Sequence, residues 1–132
     1  MSEKLVLDAG VLSLHFADHR GVKRYFDDII AGRSKGLIST FNLAEFYYKT
    51  CQKLGKQTAD TWYFQTRNSG LSIVHGEELV RLAGLEKCRQ SNRLALADCF
   101  ALALAKSENA LLLTTDSELA NVGNVEVRHI RP

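Results

Sequence analysis

The chain has 132 residues, of which 45% are hydrophobic and 24% charged, and its 17 Lys and Arg exceed its 15 Asp and Glu by two. This composition is typical of a globular protein, and the length allows one domain with a sizeable core, which we expect to span 1–132. Three widely separated cysteines without a CxxC spacing argue against a disulfide framework or a zinc site. The charged start MSEKLVLD is unlike a signal peptide, and no apolar run reaches the roughly 18 residues of a membrane span. We therefore expect a soluble, cytoplasmic protein with no membrane contact.

The first half of the chain alternates short apolar runs, typical of buried strands, with segments whose apolar residues recur at helical spacing. The first run, LVL, ends in an acid and a turn, Asp8-Ala9-Gly10. Thr40 is expected to cap the helix that follows the second run. In chain order, the predicted elements are a strand at 5–7, a helix at 20–32, a strand at 36–39, and helices at 40–55 and around 57–68.

The second half continues the alternation. LALADCFALALAKSEN is expected to be helical, because Ala and Leu favour helices and the run is too long for a typical strand. The alternation predicts an α/β fold, a three-layer α/β/α sandwich around a mostly parallel central sheet of four to five strands. Functional sites in such sheets lie at the carboxyl ends of the strands. In chain order, the predicted elements are a strand at 71–74, helices at 76–91 and 94–109, and strands at 110–113 and near 125–130.

Four acidic residues stand where such a sheet would bring them together. Asp8 and Asp116 each follow a predicted strand, so in a parallel sheet both carboxylates emerge at the same edge. Glu45 lies early in the helix after the second strand. Asp98 lies within the apolar stretch LALADCFALALA, where its neighbours three and four residues away are all Leu or Ala. A buried ionised carboxylate needs a cation, strong hydrogen bonds or a proton.

Each acid also has a purely structural interpretation. Taken singly, each of these interpretations is favoured; taken together, they require four separate coincidences. The structural alternatives are helix caps, by Asp8 for a helix near Gly10 and by Asp116 for a helix at 117–121, and ion pairs, of Glu45 with Lys49 and of Asp98 with Arg93.

Converging carboxylates repel one another unless a cation separates them. Hard divalent cations remove that repulsion, and Mg²⁺ or Mn²⁺ suits an all-carboxylate site. Such sites hydrolyse phosphodiesters by activating a water and stabilising charge on the attacking and leaving oxygens. Without these four acids the chain has 17 basic against 11 acidic residues, which suits a polyanionic substrate.

Four segments, in this order, resemble the motifs of the PIN-domain nucleases, and within them the small VapC-type toxins, over essentially the whole chain. LVLDAGVL is similar to the first motif, with Asp8, and STFNLAEF to the second, with Glu45. RLALADCFALALA is similar to the third, in which Asp98 opens an Ala-rich helix. LLLTTDSEL is similar to the fourth, with Thr114 and Asp116, and the 18-residue gap from Asp98 to Asp116 also suits the family.

The chain departs from the family pattern at two positions and matches it at a third. Gly10 stands where the family often has Ser, Thr or Asn, and Thr115 where it often has Asn. Glu118 occupies the place of a further acid and is an additional metal-ligand candidate. The resemblance implies that Asp8, Glu45, Asp98 and Asp116 are both catalytic residues and ligands of Mg²⁺ or Mn²⁺, with Thr114 and Thr115 in support.

The resemblance further implies a metal-dependent endoribonuclease that is the toxin of a toxin–antitoxin pair. Such toxins cleave RNA, form homodimers, and are silenced by a cognate antitoxin whose tail fills a groove among the helices. Basic side chains near the acids in sequence are candidates for RNA phosphate contacts, namely Arg93, Arg89, Lys49 and Lys53. Aromatic residues are candidates for the groove, unless they belong to the core, namely Tyr47, Tyr48, Trp62, Tyr63 and Phe64.

Other classes fit less well. A response-regulator receiver needs an Asp at the end of its third strand, where this chain has Val74-His75-Gly76, and a phosphatase with an Asp nucleophile needs an acid at Gly10. Gly-rich nucleotide-binding loops are absent from the sequence. The alternative that stays open is a PIN-like RNA- or protein-binding module with weak or no nuclease activity.

Overall fold

The computed structural model describes residues 3–90 and 93–132. Within them, five parallel strands form one sheet in the order β3-β2-β1-β4-β5. The strands are β1 (Glu3–Leu7), β2 (Ser34–Ser39), β3 (Ser72–Val74), β4 (Leu111–Thr114) and β5 (Val127–His129). The helices are α1 (Ala9–Phe16), α2 (Arg20–Ile30), α3 (Thr40–Leu54), α4 (Lys56–Arg67), α5 (Glu77–Gln90), α6 (Leu96–Glu108) and α7 (Ser117–Ala120).

Alternating side chains of the central strands feed two separate cores. In β1, Leu5 and Leu7 pack into one core and Val6 into the other, as the two-residue period of a strand requires. Helices α1 to α4 cover the first face, and α5, α6 and α7 cover the second. Both faces of the sheet are therefore buried, which is why its strands are continuous apolar runs. The predicted three-layer α/β/α sandwich around a parallel sheet is confirmed.

Helix α6 is the most deeply buried helix of the second layer. It packs on α5 and on three strands, β1, β2 and β4, and eight of its 13 residues are buried. Its small alanines let it approach these neighbours closely. Asn109, in the left-handed conformation at φ 51°, ends the helix, as a C-terminal residue of this type commonly does.

The predicted boundaries need three corrections. Thr40 does not cap α3; Ser39, still extended at ψ 153°, is the N-cap, and its Oγ accepts the Asn42 N–H at 3.0 Å. The helix predicted from 94 begins at Leu96, because Ala95 is extended at ψ 159° and Ala and Leu propensities do not specify a start. The last strand is shorter than 125–130, and the predicted end of α5 at 91 lies outside the described residues.

Among the described residues, no helix is both long enough and apolar enough to cross a membrane.

Candidate functional site

The strand order creates a crevice at one edge of the sheet. Strand β1 pairs with β2 on one side and with β4 on the other, so the direction in which the sheet grows reverses between β1 and β4. Ligands of open parallel sheets bind at such a point, beyond the carboxyl ends of the strands. Asp8 follows β1 directly, and its backbone N–H donates to the Leu113 carbonyl of β4 at 3.2 Å.

Asp8 is held rigidly in this crevice, with 6% of its surface exposed. Its Oδ1 accepts the Val11 N–H at 2.9 Å, so it caps α1. Its Oδ2 accepts the Thr114 hydroxyl and the Thr115 N–H, the latter at 3.2 Å. Burial raises the pKa of Asp8, and these three hydrogen bonds oppose the rise because they favour the ionised form.

Asp116 lies on the β4 side of the crevice and caps α7. Its Oδ1 accepts the backbone N–H groups of Glu118 and Leu119 at 2.8 and 3.1 Å. The Thr114 hydroxyl accepts the Asp116 N–H at 2.9 Å and itself donates to Asp8. Thr114 therefore joins the two strand-end acids through a single oxygen.

Asp98 is the third residue of α6, and it is half-buried rather than sealed in the core. Its Oδ2 accepts the Ala95 N–H at 3.3 Å. The pKa of Asp98 is raised to about 7, first by burial, then by the negative charge of Asp116, and further by Asp8 and Glu45. Since the charges of acids from three other segments all act on it, the four carboxylates share one region of the molecule.

The exposed Arg93 side chain forms no ion pair with Asp98, both residues being within the described part of the chain. The structural interpretation of Asp98 as the partner of Arg93 is therefore wrong. Desolvation and like charge, rather than a neighbouring cation, define its environment.

Glu45 reaches the crevice from α3. Its Oε2 lies 3.4 Å from the Lys49 Nζ, one helical turn further on. Its charge raises the pKa of both Asp8 and Asp98. Glu45 can therefore pair with Lys49 and still lie near the other acids. In the same way, Asp8 and Asp116 each cap a helix and also lie in the crevice.

The donor chemistry of this site fits a hard divalent cation. Within the described residues, no three His, Cys, Asp or Glu side chains are already arranged as ligands of one ion. Asp8 and Asp116 each use one carboxylate oxygen to cap a helix. The donors are nevertheless all carboxylates, which Mg²⁺ and Mn²⁺ prefer, and a cation would relieve the repulsion that raises the pKa of Asp98. Glu118 is exposed, and its contact with Asp116 is through its backbone N–H.

Gly10 and Thr115, the two residues that depart from the family pattern, pack against each other. A Cβ added to Gly10 would lie 2.1 Å from the Thr115 Oγ1 and 3.1 Å from its Cβ. The Thr115 side chain thus occupies the volume into which a larger residue at position 10 would project. Thr115 also donates its backbone N–H to Asp8, so the contact between Gly10 and Thr115 lies directly beside the carboxylates.

A polar link that sequence reasoning missed ties α3 to α6. The buried Asn42 donates from Nδ2 to the Ala97 carbonyl at 3.0 Å, and its Oδ1 accepts the Ser39 hydroxyl at 2.6 Å. Phe41 and Phe100 stack nearby, with ring centroids 4.5 Å apart. This link holds the helix of Glu45 against the start of the helix of Asp98. The Ser-x-x-Asn spacing was a signal for the cap alone, not for the partner in α6.

The aromatic residues of α3 and α4 divide between core and surface. Phe46 is fully buried and Trp62 stacks with it and with Phe16. A cleft of about 590 Å³ opens between the two helices. It is lined by Thr40, Leu43, Ala44, Tyr47, Asp60, Tyr63, Phe64 and Ile73, and Tyr48 is exposed outside it.

The basic residues expected to contact RNA are not clustered. Lys49 and Lys53 line a cleft of about 370 Å³ that also includes Gly10 and Thr115, so they lie beside the acids. Arg89, in the last turn of α5, and Arg93 are exposed. Contact of any of them with RNA stays a prediction.

Three solved structures with the same fold are two VapBC complexes and one VapC toxin. VapBC2 from Rickettsia felis, bound to a DNA fragment from its promoter, matches with a TM-score of 0.75 and 17% identity over 96% of this chain and 98% of that chain. DNA-bound VapBC from Salmonella typhimurium matches with a TM-score of 0.74 and 14% identity over 96% and 98%. Mycobacterium tuberculosis VapC20, a sarcin-ricin loop cleaving toxin, matches with a TM-score of 0.73 and 18% identity over 97% and 99%.

Comparison with curated proteins finds no significant match. The family model of the PIN domain, in contrast, matches residues 5–125, a range that includes both strand-end acids, both helix acids, strands β2, β3 and β4 and most of β1. The chain therefore belongs to the PIN domain family.

Proposed function

We propose that this protein is a divalent-metal-dependent endoribonuclease and the toxin component of a toxin–antitoxin system. The observation that carries the proposal is the electrostatic convergence of Asp8, Glu45 and Asp116 on Asp98, whose pKa they help to raise to about 7. Carboxylates from four segments at the switch point of a parallel sheet form a site for cations, and PIN-domain membership makes phosphodiester hydrolysis the chemistry that such a site serves.

In this proposal the four carboxylates hold Mg²⁺ or Mn²⁺, with Glu118 as an additional ligand candidate. The metal, when bound, supplies activation of a water and stabilisation of phosphate charge. Thr114 orients Asp8 through its hydroxyl, and Thr115 does so through its backbone N–H. Asp98 must lose its proton before it binds a cation, so the pKa of about 7 makes it the pH-sensitive member of the set.

The partners follow from the same proposal. Solved relatives of the fold occur as VapBC toxin–antitoxin complexes, and one of them is a toxin that cleaves the sarcin-ricin loop. We assign RNA as the substrate, a cognate antitoxin as the inhibitor, and the cytoplasm as the location, with a homodimer as the assembly. The cleft between α3 and α4, with Tyr47, Tyr63 and Phe64 in its lining, offers apolar surface to an antitoxin segment.

The test is cleavage of an RNA panel by the purified, antitoxin-free protein with Mn²⁺, with Mg²⁺ and with chelator. Asp8→Asn and Asp98→Asn are expected to reduce the cleavage rate by about a hundredfold or more, since each removes a charged ligand. Glu108→Gln is the matched control, because Glu108 pairs with Lys4 at the amino edge of the sheet, away from the acids.

Two outcomes would contradict the proposal. Cleavage that persists in both Asp variants would identify a contaminating nuclease. Absence of metal-dependent cleavage across the panel would favour the alternative, a PIN domain that acts by binding RNA or protein.

A further inference from the structure

A strongly basic cleft lies between α2 and β5, the edge strand next to β4. It encloses about 780 Å³, and its charged lining consists of Arg20, Lys23, Arg24, Arg128, Arg131 and Asp27. Five basic residues against one acid give this cleft a charge of +4, whereas the whole chain carries +2. Positive charge is therefore concentrated here and balanced by acids elsewhere.

Most of this charge is available to a ligand. Lys23 pairs with Asp27 at 2.9 Å. The four arginines of the cleft have no carboxylate within ion-pair distance among the residues that the structure describes. All four are exposed at the surface.

Two of the arginines are brought together by one buried hydroxyl. Arg24 Nη2 and Arg128 Nη1 donate to the Tyr25 Oη at 3.0 and 2.9 Å, and Tyr25 is only 8% exposed. The Arg24 guanidinium also lies over the Tyr25 ring, 4.9 Å from its centroid. Two guanidinium groups held on one oxygen repel each other, and an anion between them would remove that repulsion. Guanidinium forks match phosphate oxygens in geometry.

The cleft is joined to the acidic crevice by backbone and ring contacts. Since β5 is parallel to β4, residues 128–131 follow the sheet to the same edge as the acids. The Ile130 N–H donates to the Thr114 carbonyl at 2.8 Å, and the His129 Nε2 lies 3.2 Å from the Thr115 carbonyl. The helix α2 lies close to this segment at Gly21, where an added Cβ would be 2.9 Å from the His19 ring and 3.3 Å from Ile130. His129 therefore borders both the cleft and the segment that contacts Asp8.

We propose that the α2/β5 cleft binds the phosphate backbone of the RNA strand that leads into the acidic crevice, with Arg24 and Arg128 clamping one phosphate. This inference rests on the proposed function for the identity of the strand. The occupant is a polyanion rather than an apolar segment, because the arginines of the cleft are exposed while its large apolar residues, Tyr25 and Ile130, are buried. The sign of the charge also excludes a basic peptide.

The experiment measures binding of a short fluorescein-labelled single-stranded RNA to the chelator-treated protein by fluorescence anisotropy. Arg24→Gln with Arg128→Gln is expected to weaken binding about tenfold at low salt. The same pair is expected to lower the slope of log affinity against log salt by about 0.7 between about 50 and 200 mM KCl, the value for one lost phosphate contact on a single strand. Lys35→Gln with Arg67→Gln is the control of equal charge loss, at exposed positions on the amino edge of the sheet.

A second pair separates charge from folding. Arg24→Lys with Arg128→Lys keeps both charges but not the guanidinium forks, so we expect it to bind RNA more tightly than the Gln pair and more weakly than the wild type, with circular dichroism showing the same fold in every variant. Equal RNA affinity of the Gln pair and the control pair would overturn the inference, as would a wild-type protein that does not bind the RNA at low salt.

Failure of this inference is distinguishable from failure of the proposed function. Metal-dependent cleavage with an unchanged KM in the Arg24→Gln, Arg128→Gln protein would leave the nuclease standing and reject the cleft. Weaker RNA binding by that protein, together with no cleavage by the wild type, would support the cleft as an RNA-binding site and reject the nuclease activity.

Discussion

At the scale of single residues, structural and functional interpretations of the acids turn out to be compatible. Asp8 and Asp116 both cap helices, as the structural alternatives predicted, and both also act electrostatically within the crevice. Each cap uses one carboxylate oxygen, Oδ1, while the second oxygen of Asp8 accepts the Thr114 hydroxyl and the Thr115 N–H. Asp98 differs, because its partners are a single backbone N–H and three like charges.

The raised pKa of Asp98 predicts an unusual dependence of stability on pH. In the metal-free protein the pKa of Asp98 is about 7 in the folded state and about 3.9 in the unfolded state. Between these two pH values the folded state therefore binds one proton more than the unfolded state. The contribution of Asp98 to the free energy of unfolding therefore falls as pH rises from about 4 to 7. Asp98→Asn cannot ionise, and we expect it to raise the melting temperature of the metal-free protein at pH 8 but not near pH 4.

A control of opposite sign is available on the same protein. Lys56 and Tyr47 lower the pKa of Asp60 by hydrogen bonding to it, so its ionised form stabilises the fold above the unfolded pKa. Asp60→Asn should lower the melting temperature at pH 8, and the loss should shrink as pH falls through the folded pKa. Equal effects of both substitutions at all pH values would contradict the assignment.

The close contact between Gly10 and Thr115 predicts that the stability cost of a substitution at position 10 depends on the residue at position 115. Gly10→Ala would set its Cβ 2.1 Å from the Thr115 Oγ1, and overpacking of this kind costs about 1–3 kcal/mol. Combined with Thr115→Ala, the same change should cost much less, because the closest atom is gone. Chemical denaturation of the four proteins of this double-mutant cycle measures the coupling. Additive effects would indicate that the two side chains do not compete for space.

At the scale of elements, the apolar patterns predicted the type of each strand and helix better than its ends. The runs LVL, GLIS and LLL lie within β1, β2 and β4, since a strand buried on both faces must be apolar throughout. The N-cap of α3 differs by one residue, because the Ser39 side chain makes the capping hydrogen bond, and the start of α6 differs by two, because helix propensity alone does not specify where a helix begins. The link from Asn42 to Ala97 spans 55 residues and has no local signal.

Helices α5 and α6 are joined by a buried ion pair that predicts a measurable loss of stability. The Lys106 Nζ lies 2.6 Å from the Glu86 Oε1, and Glu86 is 5% exposed. Its Oε2 has no hydrogen-bond partner among residues 3–90 and 93–132. Lys106→Met would leave a buried carboxylate without its cation, which typically costs about 3 kcal/mol or more. Urea denaturation at neutral pH measures this loss.

The double variant separates charge from packing at the same site. Lys106→Met with Glu86→Leu removes both charges, so we expect its free energy of unfolding to recover most of the loss, because apolar replacements of buried pairs are often neutral. A double variant as unstable as the single one would show that packing rather than charge accounts for the effect.

At the scale of the whole molecule, the sequence could suggest the acidic crevice but gave no indication of the basic α2/β5 cleft, and the reason lies in how each is assembled. Each acid stands in a recognisable segment, at a strand end or in an apolar helix, so its position could be inferred locally. The arginines of the α2/β5 cleft come from 20–24 and 128–131 and become neighbours only through the strand order β1-β4-β5. Apolar periodicity predicts that strands pair but not in which order they pair.

The acidic crevice predicts a pH-dependent response of the whole fold to a metal ion. A ligand that binds only the folded state raises the melting temperature, and binding to Asp98 requires loss of its proton. Mn²⁺ should therefore raise the melting temperature more at pH 8 than at pH 6, and chelator should reverse the rise. Asp98→Asn should reduce the response at pH 8, and an unaltered response in that variant would remove Asp98 from the ligand set.

The pairing of β1 with β4 also bears on when the site forms during folding. The Thr114 hydroxyl that orients Asp8 comes from a residue 106 positions further along the chain, so the central contact of the crevice closes one of the longest loops in the protein. Contacts of such separation are entropically costly and are made late. A chain that has folded only its first four helices would already display Asp8 and Glu45, yet it would have neither Asp98 nor Asp116 opposite them. The proposed nuclease activity therefore requires β4 to pair with β1, and a chain that lacks β4 should show none.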